Sequence, residues 1–449
     1  MKTLFGLGAG VVRTEAEAGR IGKSAAGGAA VLVILAASVA GVQTAAVPKA
    51  YADLYTQLEA KLQKTSERID RQWDKSKAPV DFSAEMLTAN SNRGVQLLQP
   101  VALWGVRMEM QRLQELNAKA VTLSINFPVL YEPFHQLNGT SHQAFLDFYK
   151  HVAEDARGRK LKVIVEMGSG IFPGVYSQGS GLNAQGFYAR IKSIEEYREQ
   201  RTAMALAVAR ELRPDYLSLT DEPDTEAKLT SLPVNHPRTG TGIVAYEVKK
   251  LHEAGVTDVK IGAGVGTWQR QADEWVRSYT QNTGVDYIAL HVYPINSLSP
   301  LGRYDLLWQL FTLADIARAG GKPVGVGECW LHKTRDRELR RMNNITDPTA
   351  FERDIYSFWE PLDTQFLSVM VRGAHWKRFV YLSPFWTRML YGGYVDYDEA
   401  QRVERGPQGA ARLFALSNRQ AAEDLRAGRF SPTGAAYGRM IQGNFAGTK

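Results

Sequence analysis

The sequence predicts an α/β fold, a closed (β/α)8 barrel with a short helical lead-in. Eight short apolar runs alternate with stretches of helical periodicity along the 449 residues. Eight is the number of parallel strands that closes such a barrel. Two of the runs end in glutamate, Glu222 within TDEP and Glu328 within VGEC, and a run between them ends in His291 and Tyr293. In a barrel, such strand ends share one face.

Residues 29–46 (AAVLVILAASVAGVQTAA) are uncharged and mostly apolar, and they follow Arg20 and Lys23. A basic flank before an apolar, small-residue run is the pattern of an export signal. Ala50-Tyr51-Ala52 has the small-x-small form of a cleavage site, and the run is nearly long enough to span a bilayer. Residues 1–52 are therefore expected to be a signal peptide or membrane anchor. The protein is expected to be exported, to the periplasm, the medium or the outer side of a membrane.

Residues 53–78 place Leu54, Leu58, Leu62 and Ile69 at helical spacing. Residues 53–85 are thus expected as a helical lead-in, and 86–449 as the barrel. The expected strands are 94–98 (GVQLL), 120–127 (AVTLSINF), 161–166 (LKVIVE) and the run into Glu222. They continue with 259–265 (VKIGAGV), 287–294 (YIALHVYP), the run into Glu328, and 379–384 (FVYLSP). Helical periodicity fills 106–119, 143–156, 194–212, 243–254, 272–280, 304–319, 351–371 and a closing helix from 408. The long segments after strands, at 171–193, 224–242, 332–349 and 386–406, would lie on the face that carries chemistry.

Composition narrows the function classes. Hydrophobic residues make up 44% and charged residues 22%, as in an ordinary globular enzyme. The net charge of +7 is inflated by residues 1–52, where five basic residues face two acidic ones. The remainder gives little reason to expect nucleic acid as a partner. The lone cysteine, Cys329, excludes an internal disulfide framework and a multi-cysteine metal site. The glycines at 262, 264 and 266 lack the final spacing of a dinucleotide fingerprint. There is no G-x-S-x-G elbow and no H-E-x-x-H pair. Neither a cofactor nor a metal is expected. The basic stretch 333–341 reads as a solvated face, with an acidic polysaccharide as the sharper alternative.

Two carboxyl groups facing each other across a barrel mouth suit glycosidic-bond hydrolysis. One protonates the leaving oxygen while the other supports the cationic sugar carbon. Here the motifs, in their order, resemble clan A glycoside hydrolases, which are retaining enzymes on a (β/α)8 barrel. The matching elements are Asp221-Glu222-Pro223 after the fourth strand, His291-Val292-Tyr293 after the sixth, Glu328 after the seventh and Ser383-Pro384-Phe385-Trp386 after the eighth. The ending Phe430-Ser431-Pro432-Thr433-Gly434 is also similar.

The resemblance implies Glu222 as acid/base, Glu328 as nucleophile and Tyr293 as the residue orienting Glu328. It also implies sugar contacts from Asp221, His291 and Trp386, and a β-linked oligo- or polysaccharide as substrate; Trp330, after the seventh strand, is a further aromatic candidate for the substrate. Asp221 stands where the clan has Asn, so an amide donor to the 2-hydroxyl is missing. Two other classes remain open at the level of sequence. One is a glycan-binding envelope protein with a degenerate site. The other is a lyase or aldolase that uses the same carboxylates for proton transfer. Sugar, linkage, endo or exo action and oligomeric state are not encoded in any motif.

Overall fold

The computed structural model describes residues 46–168, 171, 181–293, 305–334, 338, 349, 351–385 and 387–445. The apolar run at 29–46 lies almost wholly outside the described residues. Among the described residues, no helix is long and apolar enough to cross a membrane.

Eight parallel strands form one sheet: β1 Asp81–Phe82, β2 Ala120–Ser124, β3 Lys162–Glu166, β4 Tyr216–Ser218, β5 Lys260–Gly266, β6 Tyr287–Val292, β7 Val324–Cys329 and β8 Tyr381–Pro384. Their order is β1-β8-β7-β6-β5-β4-β3-β2. The remaining seam, between β1 and β2, is closed by backbone bonds: Lys119 N to Phe82 O at 2.8 Å, Thr122 N to Ala84 O at 3.2 Å and Met86 N to Thr122 O at 2.9 Å.

Side chains alternate across each strand. The outward positions, such as Val163, Val165, Leu217, Leu290 and Val326, are fully buried beneath the surrounding helices. Inside, Tyr216, Tyr287 and Tyr381 meet edge to face or tilted, with ring centroids 5.2–5.7 Å apart. This plug requires glycine around it. A Cβ at Gly262 would lie 2.2 Å from the Tyr287 ring, and one at Gly325 would lie 2.3 Å from Tyr381. Above the plug the lining turns polar: Ser83 and Thr122 hydroxyls are 2.9 Å apart, and Glu85, Glu166 and His291 follow toward the carboxyl ends of the strands.

Several expected elements are corrected. Residues 94–98 are not a strand, since Ser91–Leu98 forms 3-10 turns interrupted at Gly94 (φ 52°). The Asn90 side chain opens these turns by accepting from Asn92 N at 2.8 Å. The true first strand, Asp81–Phe82, lies inside the expected lead-in, so the barrel begins earlier than residue 86. It is too short to show a period in sequence, and its pairing depends on β8, where Ser83 N reaches Leu382 O at 2.9 Å. The expected helix at 351–371 begins as 3-10 turns at Glu352–Ile355 and Ser357–Trp359, and its α-helical part is Glu360–Lys377. Pro361 suits that start because the first helical N–H has no partner in the helix.

The lead-in helix, Ala52–Gln72, forms as its spacing predicts and buries Leu54, Leu58, Leu62 and Ile69. It packs against the Glu360–Lys377 helix. Tyr55 stacks on Trp359 with centroids 5.8 Å apart, and Arg372 reaches Asp70 at 3.1 Å.

Candidate active site

Glu222 lies four residues past the end of β4, at the N-cap of the helix Pro223–Thr230. Pro223 starts that helix and Thr225, one turn in, donates its hydroxyl to Glu222 Oε2 at 2.7 Å. Glu328 reaches the interior by a different device. The β6–β7 register runs Leu290↔Val326 and then His291↔Glu328, so Gly327 is an extra residue. With strict alternation Glu328 would face the helices; the bulge turns it inward beside His291.

His291 gathers the carboxylates. Its Nδ1 is 2.9 Å from Glu222 Oε1 and 3.5 Å from Glu328 Oε2, and its Nε2 is 3.2 Å from Glu166 Oε2. Tyr293 donates its hydroxyl to Glu328 Oε2. One ligand-type oxygen from each of Glu222 and Glu328 lies within 4.8 Å of the other. Asp221 is fully buried, accepts a hydrogen bond from Ser218 Oγ and leaves Oδ2 without a protein partner. Glu85 accepts from Asn90 Nδ2 at 2.6 Å and from Ser124 Oγ at 2.9 Å.

Some of these buried carboxyls hold protons that water would remove. Burial pushes Asp221 up to about 7, and the Glu166 carboxylate adds to the shift. Burial likewise lifts Glu85 to about 7 against its bonds to Asn90 and Ser124. Asp224 rises to about 6 through burial and then the charge of Glu222. For His291, burial favours the neutral ring, but the Glu328 and Glu166 carboxylates outweigh it and hold the imidazolium well above its usual range. Burial pushes Glu328 upward, and the His291 charge opposes that shift.

The residues expected at the site divide clearly. Glu222, Glu328, Asp221, His291 and Tyr293 lie in one cluster around the strand ends. Trp330 does not offer a face to a ligand: its side chain is fully buried in the packed core. Past the bulge the chain continues into the wall, with Trp330 N bonded to Val292 O at 3.0 Å. Trp386 lies outside the described residues, as does most of the basic stretch 333–341.

The sequence reading did not count Glu166 among the site residues, yet its Oε2 is 3.2 Å from His291 Nε2. It missed Glu85, which lies in the segment taken for lead-in, and Asp224, which accepts from Trp268 Nε1 at 3.0 Å. A strand-end carboxylate was the available signal for Glu166. Glu85 gave none, because its strand was not legible.

By donor type, the groups Glu166–Asp221–His291 and Glu222–His291–Glu328 could each hold a cation. Both ring nitrogens of His291 already face carboxylates, so ligation would displace one of those contacts.

No family model matches the sequence, and no curated protein matches it. Solved structures with similarity include GH5_18 from Streptomyces cattleya in complex with GlcNAc, at 13% identity over 83% of this chain and 82% of that one, with a TM-score of 0.49. The exo-beta-1,4-mannosidase from Opitutaceae bacterium strain TAV5 is 14% identical over 77% of this chain, with a TM-score of 0.47, and the match spans 60% of the mannosidase. A glycoside hydrolase family 5 enzyme from Prevotella bryantii B14 is 12% identical over 76% of this chain and 96% of its own, with a TM-score of 0.43.

Proposed function

We propose that this protein is a retaining glycoside hydrolase acting on a β-linked glycan. The observation that carries the proposal is the closeness of Glu222 and Glu328, with an oxygen of each within 4.8 Å of the other. Retaining enzymes hold their carboxyl groups about 5–5.5 Å apart, whereas inverting enzymes leave roughly 6.5–9.5 Å for a water.

In the proposed reaction, Glu222 gives its proton to the glycosidic oxygen as Glu328 attacks the anomeric carbon. The leaving sugar departs with that proton, and an ester joins the remaining sugar to Glu328. Glu222, now ionised, takes a proton from water, and the hydroxide so formed breaks the ester. The Tyr293 hydroxyl and the His291 imidazolium support the ionised Glu328. Asp221, with its carboxyl near 7, is half protonated at neutrality and keeps its proton below it. It can therefore donate a hydrogen bond where an Asn amide would otherwise do so. Export through residues 1–52 would bring the enzyme to polysaccharide outside the cytoplasm.

The test is reducing-sugar release from β-glucans, mannans, galactans, xylans and uronic-acid polymers, with wild type beside Glu328→Gln and the first-formed anomer read by NMR. Turnover with retained configuration that disappears in Glu328→Gln is expected. Binding without turnover by the folded wild type would instead indicate a glycan-binding protein, and initial release of the inverted anomer would refute Glu328 as nucleophile.

A further inference from the structure

Arg201 is fully buried inside the helix Ile194–Ala207, and none of its contacts is to the Glu222 carboxyl. Its guanidinium instead holds the Leu219 carbonyl before that residue and the Glu226 carboxylate after it. Nη2 donates to Leu219 O, just past β4. Nη1 faces Gly168 O, just past β3, at 3.4 Å and Glu226 Oε2 at 3.3 Å. Nε donates to Glu247 Oε1 at 3.0 Å. Glu226 extends the grip: its Oε1 accepts from Thr220 Oγ1 at 2.5 Å, its Oε2 accepts from Tyr197 at 2.9 Å, and its backbone N–H donates to Glu222 O at 3.0 Å. Residues 219 and 220 before Glu222, and residue 226 after it, are thereby tied to one planar cation. Gly168 is drawn so close to the turn that a Cβ there would lie 2.9 Å from Asp221 N.

A buried arginine with two carboxylates is costly to desolvate and is not by itself a stabilising device. The atoms it holds flank Glu222 in the turn that carries it. We infer that Arg201, acting through Leu219, Gly168 and Glu226, is a positioning residue for Glu222 and aligns it for proton transfer to the leaving oxygen. This inference rests on the hydrolase reading given above. A small misplacement of a catalytic group can cost about a hundredfold in rate.

The experiment compares wild type with Arg201→Lys and Glu226→Gln on phenyl and dinitrophenyl β-glucosides, β-mannosides, β-galactosides and β-xylosides. Leu58→Ala, in the lead-in helix, serves as a destabilised control. A phenyl leaving group needs the acid, whereas a dinitrophenyl group leaves without it. Expected is a fall in kcat/KM of about 10–100-fold for the phenyl glycoside, against less than about threefold for the dinitrophenyl glycoside. Leu58→Ala should leave the ratio between the two substrates at its wild-type value. An equal loss on both substrates, as from general loosening, would overturn the positioning role.

Should Arg201→Lys not fold, Glu226→Gln gives the same reading, since it weakens the same grip. If the wild type turns over none of these glycosides, it is the hydrolase reading that fails. The positioning role is then decided by the NMR signals of the His291 ring, whose Nδ1 faces Glu222. A shift in Glu226→Gln supports it, and unchanged signals overturn it.

Discussion

Glu166 occupies the space in which a side chain at Gly327 would begin: a Cβ on that glycine would lie 1.3 Å from Glu166 Oε1. The carboxylate therefore spans the barrel from β3 to the bulge in β7, and from there its other oxygen faces His291. The glycine before the candidate nucleophile is fixed by what crosses the barrel in front of it.

Gly327→Ala should displace Glu166 and break its contact with His291. A stability loss of about 1–3 kcal/mol is expected, as for other overpacked cores, together with a marked loss of turnover. Chemical denaturation reads the first and the glycan assay the second. Gly264→Ala should be worse, since its Cβ would lie 1.3 Å from the backbone oxygen of Ala289, which cannot swing aside. A Gly327→Ala protein as stable as wild type would show that Glu166 is not held there.

Tyr293→Phe removes the hydroxyl that donates to Glu328 but keeps a ring to stack on His332, 4.6 Å away between centroids. Activity should fall by roughly 10²-fold, the scale seen when one donor to a developing or stored charge is removed. The melting temperature should change little. A large drop in stability without a selective loss of rate would assign Tyr293 to packing.

Asp221→Asn tests the proton on Asp221. In wild type, kcat/KM should decline as pH rises through about 7, because the carboxyl loses the hydrogen it donates. The amide has no such proton to lose, so the variant should keep its activity to higher pH. Coincident pH profiles for the two proteins would contradict the donor role.

The same group of carboxyls sets the pH dependence of stability. Asp221 and Glu85 are raised to about 7 and Asp224 to about 6, against a usual carboxyl value of about 4 in an unfolded chain. The folded state therefore binds more protons than the unfolded state between those limits. Their contribution is fully present near pH 4 and is lost as pH rises through 6 to 7. His291, raised by its carboxylate neighbours, acts in the same direction at higher pH. The melting temperature should be higher at pH 5 than at pH 8, and Asp221→Asn should flatten part of the slope. A protein more stable at pH 8 would show that these carboxyls ionise freely.

The sequence by itself determined the alternation of strands and helices, the lead-in helix and the placing of His291 and Glu328 at strand ends and of Glu222 in the turn after the fourth strand. Each of these is written in neighbouring residues, as a period or a short motif. Only the tertiary structure decided the first strand, because two residues carry no period and become a strand by pairing with β8 and bridging to β2. It also decided that Glu328 faces inward, since one extra residue at Gly327 resets the alternation after it, and that Trp330 is buried in the packed core. Arg201 acquired its place at the back of the site in the same way. Its partners Gly168, Leu219, Glu226 and Glu247 lie 18 to 46 positions away in the chain, where no local pattern reaches.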